Sequence, residues 1–279
     1  MGYSLVSRFR GTFLGAFLGR SLAANGDDDF AKPAILGMES LITLGKLDVK
    51  EWSKHQTPKT PESQIIFTTL PVVLFYHENP IKLRQNLQEV LTIWDDDPVL
   101  KDVILALGWA IALAVKEKLD PLTLIPQTIT FLGETSTPLT QKLLQVQTFL
   151  EQGVRLERVR EELSRQETLI NATTLAFYCF LSSLEDYRLA VLRAIDNNTP
   201  ICSQTAGVIT GALSGAYNST VGIPSPWQIL SLPINSPPGG LSNISQLLEL
   251  SNVFVGAWSG VYNPTIDHRG LDTIKIKSN

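Results

Sequence analysis

Two helical segments, one near each end of the chain, carry glycine at every fourth position. Residues four apart lie on the same face of an α-helix, and glycine lets another backbone approach closely. Both segments therefore predict buried helices in tight packing contacts. The two stripes are Gly11, Gly15 and Gly19, and Gly207, Gly211 and Gly215.

Helical periodicity dominates the remaining sequence as well. No strand pattern appears beyond residues 273–276, no linker divides the chain, and 222–240 is an irregular stretch rich in Pro, Ser and Gly. The sequence predicts an all-α fold, a compact single-domain multi-helix bundle over residues 1–279. The predicted helices span 8–24, 32–45, 62–76, 80–93, 97–116, 121–132, 138–152, 156–167, 169–183, 185–196, a segment that begins at 200, and 241–259.

Composition narrows the functional classes. Charged residues make up 18% of the chain, below the roughly 25% typical of globular domains, which indicates a large core. The net charge is −4 and no basic stripe occurs, which argues against nucleic acid as a partner. The apolar run 103–115 is shorter than the ~20 residues that a membrane helix needs, so no membrane span is expected.

The cysteines and histidines give no metal or disulfide framework. Cys179 and Cys202 lie in apolar stretches and are expected to be buried thiols, a usage that favours the cytoplasm. The three histidines are far apart in sequence, which argues against a zinc site. His77 is predicted to be a surface or helix-end residue. Arg20 and the glycine spacing argue against reading the N-terminus as a signal peptide.

Two ordered segments resemble the ADP-ribosylglycohydrolase family. The segment 8–23 is similar to the family's opening helix, where glycines four apart lead into Gly-Asp-Ala-x-Gly. The segment 172–227 is similar to the family's C-terminal third. It holds an alanine-rich helix with Ala176-Phe177-Tyr178, a glycine-spaced helix that ends Gly215-Ala216-Tyr217, and then Ile223-Pro224-Ser225-Pro226-Trp227. The resemblance implies an ADP-ribosylglycohydrolase-like orthogonal bundle.

The same resemblance implies a two-metal hydrolase. The family holds two magnesium or manganese ions with carboxylates and a threonine, because hard cations need anionic oxygen ligands. The ions position the ribose diol and an activated water for hydrolysis of a glycosidic bond. The ligands lie in a Thr-Asp-Asp-Thr loop near the start of the chain and an Asp-x-Asp-Thr loop near its end.

This sequence departs from the pattern at each of those places. Arg20 stands where the aspartate after the third glycine is expected. The first loop falls on 28–31, where one aspartate stays in register as Asp29 and Phe30 stands at the second. The late motif falls on 202–205, where only Thr205 is retained.

A second alignment remains open. Asp196 and Asn198, with Thr199, read as Asp-x-Asn-Thr, six residues too early relative to Gly211. The three aspartates 27–29 also allow a shift of one or two places, and they are equally well explained as a solvated turn. The candidate metal ligands are therefore Asp28, Asp29, Asp196, Asn198 and Thr205.

Three functions are consistent with these residues. The leading hypothesis is a family member with a degraded metal site that binds an ADP-ribose-like ligand or a protein partner. The second is an active hydrolase that uses Asp27–Asp29 with Asp196 and Asn198 around one ion. The third is a structural helical protein without a ligand site, with Arg20 paired to Asp28 or Asp29. The oligomeric state is left open.

Overall fold

The two glycine stripes pack against each other at the centre of the molecule. The computed structural model describes residues 2–23, 28–54, 59–94, 97–163, 168–195, 200–230 and 243–261. In it, α1 (Leu5–Ala23) and α12 (Pro200–Asn218) run antiparallel with their glycines face to face. A Cβ atom built on Gly15 would lie 2.2 Å from the carbonyl oxygen of Gly211, and one built on Gly211 would lie 2.1 Å from the Gly15 oxygen. Any side chain at these positions would therefore push the helices apart.

The described residues form α-helices and two short 3-10 turns, in agreement with the predicted all-α class. The remaining helices are α2 (Lys32–Leu44), α3 (Val49–Ser53), α4 (Glu62–Phe75), α5 (Pro80–Leu91), α6 (Pro98–Val115), α7 (Leu124–Leu132), α8 (Leu139–Glu151), α9 (Leu156–Leu163), α10 (Leu169–Leu181), α11 (Tyr187–Ala194), α13 (Ser225–Leu230) and α14 (Asn243–Trp258).

The α1–α12 pair forms the centre around which the other helices pack. α4, α6 and α14 contact α1, while α4, α6, α10 and α11 contact α12. α2 lies against α14 and α4, and α8 covers α10. α4, α6 and α10 are apolar over most of their circumference, as expected for helices buried on several sides.

Arg8 ties the C-terminal ends of two of these helices together. It is 7% exposed, and its Nη1 donates to the carbonyl oxygens of Ala216 and Tyr217 at the end of α12 and of Ala114 at the end of α6. Its Nη2 donates to Glu117 at 3.0 Å. A cation stabilises the partial negative charge at helix C-termini, so Arg8 offsets two helix dipoles at once.

Several helix boundaries follow from the predicted caps. Gly45 ends α2 with φ of 65°, the left-handed conformation that favours glycine. The Asp97 side chain accepts a hydrogen bond from Val99 N and begins α6, which confirms the predicted charged helix start there. Asp95 and Asp96 lie outside the described residues.

Three predictions about individual segments were wrong. No helix was predicted between residues 45 and 62, but Asp48 caps α3 there, and Trp52 is 3% exposed and packs against Gly37. The stretch 222–240 was predicted to be irregular, but α13 lies within it. Cys202 is half-buried rather than buried, although Cys179 is buried as predicted. The strand suggested at 273–276 lies outside the described residues.

His77 is also not a surface residue. It lies just beyond α4 and is 2% exposed, with its ring against Phe9 and Trp258. Its Nδ1 lies 2.7 Å from the Leu74 carbonyl oxygen and donates to it. Burial lowers the pKa of His77 from its ordinary value, and the bond to Leu74 partly opposes that shift. The neutral ring is therefore part of the core.

Among the described residues, one helix is long and apolar enough to cross a membrane by length and composition alone. It is α6, of 18 residues, and 78% of it is buried inside the protein. This burial is typical of a core helix. The helix is longer than the apolar run 103–115, because its first turn includes Pro98 and Lys101.

The glycine contact predicts a large effect of one methyl group. Gly211→Ala should lower the free energy of unfolding by about 3 kcal/mol or more, at the upper end of overpacking costs, because the atom it meets is backbone. Gly108→Ala is the control, since the nearest atom there is Leu87 Cδ1, the end of a flexible side chain. That control should cost about 1 kcal/mol or less. Urea denaturation of both variants measures the difference, and equal losses would contradict the account.

Candidate functional site

The α1–α12 register determines which residues meet at one end of the molecule. Gly19 packs on Gly207, and because the helices are antiparallel the next residue, Arg20, lies beside the N-terminal turns of α12. Thr205 lies in those turns and is 3% exposed. The end of α1 and the start of α12 therefore lie side by side, and both carry positions at which the family pattern predicts metal ligands. We call this region the Arg20 end.

A 3-10 turn brings the first predicted metal loop to the Arg20 end. The turn covers Asp28–Ala31 and continues into α2, with Pro33 in the first turn of that helix. Asp29 is exposed, whereas Phe30, the next residue, is 2% exposed. The turn thus separates a polar residue from an aromatic residue that anchors the loop in the core.

Arg20 stacks on that aromatic residue. Its guanidinium carbon lies 4.1 Å from the centroid of the Phe30 ring. The Phe30 ring packs on Phe67 at 4.8 Å, and Phe67 contacts Phe13 of α1 at 6.4 Å. A cation over an aromatic face gains about 0.5–2 kcal/mol, more when the pair is shielded from water. The charge of Arg20 is therefore held at the Arg20 end by a buried aromatic cluster.

The predicted metal ligands are only partly placed. Asp29 and Thr205 belong to the Arg20 end, and the backbone of Asp28 begins the 3-10 turn there. Asp27, Asp196 and Asn198 lie outside the described residues, so the alternative alignment stays a prediction.

The described residues do not fit a two-ion centre. Within the described ranges, no three His, Cys, Asp or Glu side chains come together in a group able to hold a metal. At the Arg20 end they provide the carboxylate of Asp29, the hydroxyl of Thr205 and the cation of Arg20. At equal distance Arg20 repels a divalent ion as strongly as Asp29 attracts it. Two hard cations need more anionic oxygen than this.

The thiols add no nucleophile to this set. Burial raises the pKa of Cys179 to about 12, with Arg193 and Arg160 opposing the shift, so its thiol stays protonated at neutral pH. Thiolates, rather than thiols, are the reactive form. Cys202 occupies a late-motif position at the start of α12 and is half-buried.

Trp227 packs on the central helix pair through Tyr187. The two rings lie 6.1 Å apart, edge to face. Tyr187 is 1% exposed and its hydroxyl donates to the Gly15 carbonyl oxygen at 2.8 Å. Burial raises the pKa of Tyr187 far above its ordinary value. These contacts give Trp227, the last residue of the family-like motif 223–227, a packing role.

Comparison with known proteins identifies the family. The ADP-ribosylglycohydrolase family model matches residues 31–233, well over half of the chain. The chain belongs to the ADP-ribosylglycohydrolase family. The matched residues begin directly after Phe30, so Arg20, Asp28 and Asp29 precede them, while Thr205 and the segment 196–199 lie among them. No curated protein matches the sequence.

A solved structure supports the same fold. The chain is similar to a structure described as an ADP-ribosylglycohydrolase-related protein complex, with a TM-score of 0.64 and 15% sequence identity. The match covers 91% of this chain and 99% of the other. At this identity the likeness establishes the architecture of this ADP-ribosylglycohydrolase-family chain and nothing about its ligand.

Sequence reasoning missed the contact between Arg20 and Phe30. Both residues were recognised as departures from the family pattern. Arg20 stands at the aspartate after the third glycine, and Phe30 stands at the second aspartate of the first loop. Their pairing follows from the 3-10 turn, which the sequence did not predict. One sequence signal could have indicated the contact. Arg20 and Phe30 replace two aspartates that the family pattern places around the same ions, so their side chains are expected to lie close together.

A double-mutant cycle tests that contact. Arg20→Gln and Phe30→Leu should show a coupling free energy of about 0.5–2 kcal/mol in unfolding experiments, because each change removes one partner of the cation–π pair. Arg20→Gln combined with Phe131→Leu is the control pair, since Phe131 lies against Arg84 instead. A coupling no larger than that of the control pair would contradict the stacking geometry.

Proposed function

We propose that this chain is a divergent ADP-ribosylglycohydrolase-like protein with a degraded dimetal site, and that it acts by binding an anionic, ADP-ribose-like ligand at the Arg20 end. The observation that carries the proposal is the guanidinium of Arg20 stacked on Phe30, at positions where the family pattern has aspartates. At position 20 the charge is the opposite of that of the family's aspartate, so this side chain attracts anions instead of cations.

The chemistry of arginine favours a phosphate-bearing ligand. Its planar guanidinium presents donors that match two oxygens of one phosphate group. Stacking on Phe30 fixes the plane of the guanidinium, so less rotamer freedom is lost when a ligand binds. Asp29 and Thr205 supply acceptor and donor groups suited to sugar hydroxyls.

The family's established chemistry supplies the competing function. Family membership, together with Asp196 and Asn198 within the matched residues, favours metal-dependent release of ADP-ribose from a modified protein. That function requires Asp196 and Asn198 to provide oxygen ligands whose attraction for the metal ion exceeds the repulsion from the Arg20 charge.

Binding of ADP-ribose in the presence of EDTA tests the proposal. Isothermal titration calorimetry should show saturable binding without divalent ions. Arg20→Gln should weaken it about tenfold or more, since a hydrogen bond to a charged group contributes about 1.5–3 kcal/mol. Arg10→Gln is the matched control, because Arg10 lies on the same helix about 15 Å away along the axis.

Four results would contradict the binding proposal. Binding that appears only with magnesium or manganese, or release of ADP-ribose from ADP-ribosyl-arginine, would favour the hydrolase. No binding of ADP-ribose under either condition would favour a protein without a nucleotide site. Equal effects of the Arg10 and Arg20 substitutions would place the ligand elsewhere.

A further inference from the structure

A separate cavity lies on another part of the molecule, between α8, α9, α10 and α11. Its volume is about 640 Å³. Its walls come from the end of α8, the loop before α9, one face of α10 and the last turn of α11. The lining residues used below are Phe149, Leu150, Arg155, Leu156, Tyr178 and Arg193.

Arg193 enters this cavity without a carboxylate partner. Its Nη1 donates to Ser183 Oγ at 3.0 Å and its Nη2 lies 3.4 Å from Tyr178 Oη, both of them neutral oxygens. No ion pair to Arg193 occurs in the described part of the chain. A guanidinium has five N–H donors, so most of them remain for a ligand. A half-buried charge with neutral neighbours is costly unless an anion approaches it.

The position of Arg193 is fixed by its surroundings. Its guanidinium carbon lies 5.6 Å from the centroid of the Tyr178 ring. The Tyr178 hydroxyl donates to the Val154 carbonyl oxygen at 2.5 Å, which ties the loop before α9 to α10. Arg160 donates to the carbonyl oxygens of Arg193 and Ile195, so the last turn of α11 is held as well. The cation is therefore preorganised.

A second arginine lines the same cavity. Arg155 is exposed and, among the described residues, forms no ion pair. Its neighbour Arg158, three residues later, pairs with Glu161 and Glu162. Glu157 is the acidic residue in the lining, and it pairs with neither arginine. The cavity thus has a net positive charge, and its two cations come from different elements.

The remaining wall is apolar. Phe149 is 5% exposed and meets the Tyr178 ring edge to face at 6.3 Å. Leu150 and Leu156 also line the cavity and are partly buried. A ligand that fills the cavity therefore needs an anionic group at one end and a less polar organic group at the other.

We propose that this cavity binds a phosphate monoester, with the phosphate between Arg155 and Arg193 and the organic group against Phe149, Leu150 and Leu156. Two guanidinium groups on fixed elements suit a dianion, since each is able to bind two of its oxygens. This site shares no residue with the Arg20 end, so the inference stands independently of the function proposed there.

Calorimetric titration at constant ionic strength tests the proposal, with phenyl phosphate and inorganic phosphate as probes. Phenyl phosphate should bind saturably and more tightly than inorganic phosphate, because the apolar wall contacts its ring. Arg155→Ala and Arg193→Lys should each weaken phenyl phosphate about tenfold or more. Arg158→Ala is the matched control on the same segment and should leave the affinity within about twofold, because that guanidinium is already paired.

Four outcomes would overturn the inference. The first is no saturable binding of phenyl phosphate, and the second is equal affinity for the two probes. The third is a loss of affinity in Arg158→Ala equal to that in Arg155→Ala. The fourth is loss of phenyl phosphate binding in Arg20→Gln, which would move the ligand to the Arg20 end. Arg155 is exposed and has no side-chain partner among the described residues, so its variant keeps the test decisive if the Arg193 variant fails to fold.

Discussion

The rest of the structure depends on the backbone contact between α1 and α12. At three successive turns the glycines of one helix lie against carbonyl groups of the other, with no room for a methyl group. This contact fixes the register, because a slip of one residue would bring side chains into all three positions. Within the described residues, five further helices pack on the pair, namely α4, α6, α10, α11 and α14. The position of the Arg20 end follows directly from that register.

This arrangement is consistent with the proposal that the family's fold persists here without its metal ions. The central contact consists of glycine and backbone, and the surrounding core is apolar, so neither requires a bound ion. The Arg20 end is stabilised by Phe30, Phe67 and Phe13 beneath the guanidinium. Burial of these rings contributes roughly 1.5–3 kcal/mol per side chain. In the proposed account, this aromatic cluster and the cation above it hold the Arg20 end in place without bound ions.

The sequence predicted the features that depend on local periodicity and capping. The glycine stripes, the left-handed Gly45 and the cap at Asp97 follow from spacing and residue type alone. It did not predict that the two stripes face each other, because periodicity identifies a buried face but not its partner. It predicted that His77 lies at a helix end or on the surface but not that it is buried, since burial of a histidine depends on distant rings such as Phe9 and Trp258. The pairing of Arg20 with Phe30 depended on a 3-10 turn whose sequence resembles a solvated loop.

The central claim is that the Arg20 end carries the protein's own cation where the family pattern calls for divalent ions. Direct measurement of Mn²⁺ binding by electron paramagnetic resonance tests it, because free and bound Mn²⁺ give distinct signals. The account predicts no saturable binding at micromolar Mn²⁺ in the wild-type chain. One or two ions bound tightly per chain, and lost in the double variant Asp196→Ala and Asn198→Ala, would contradict it.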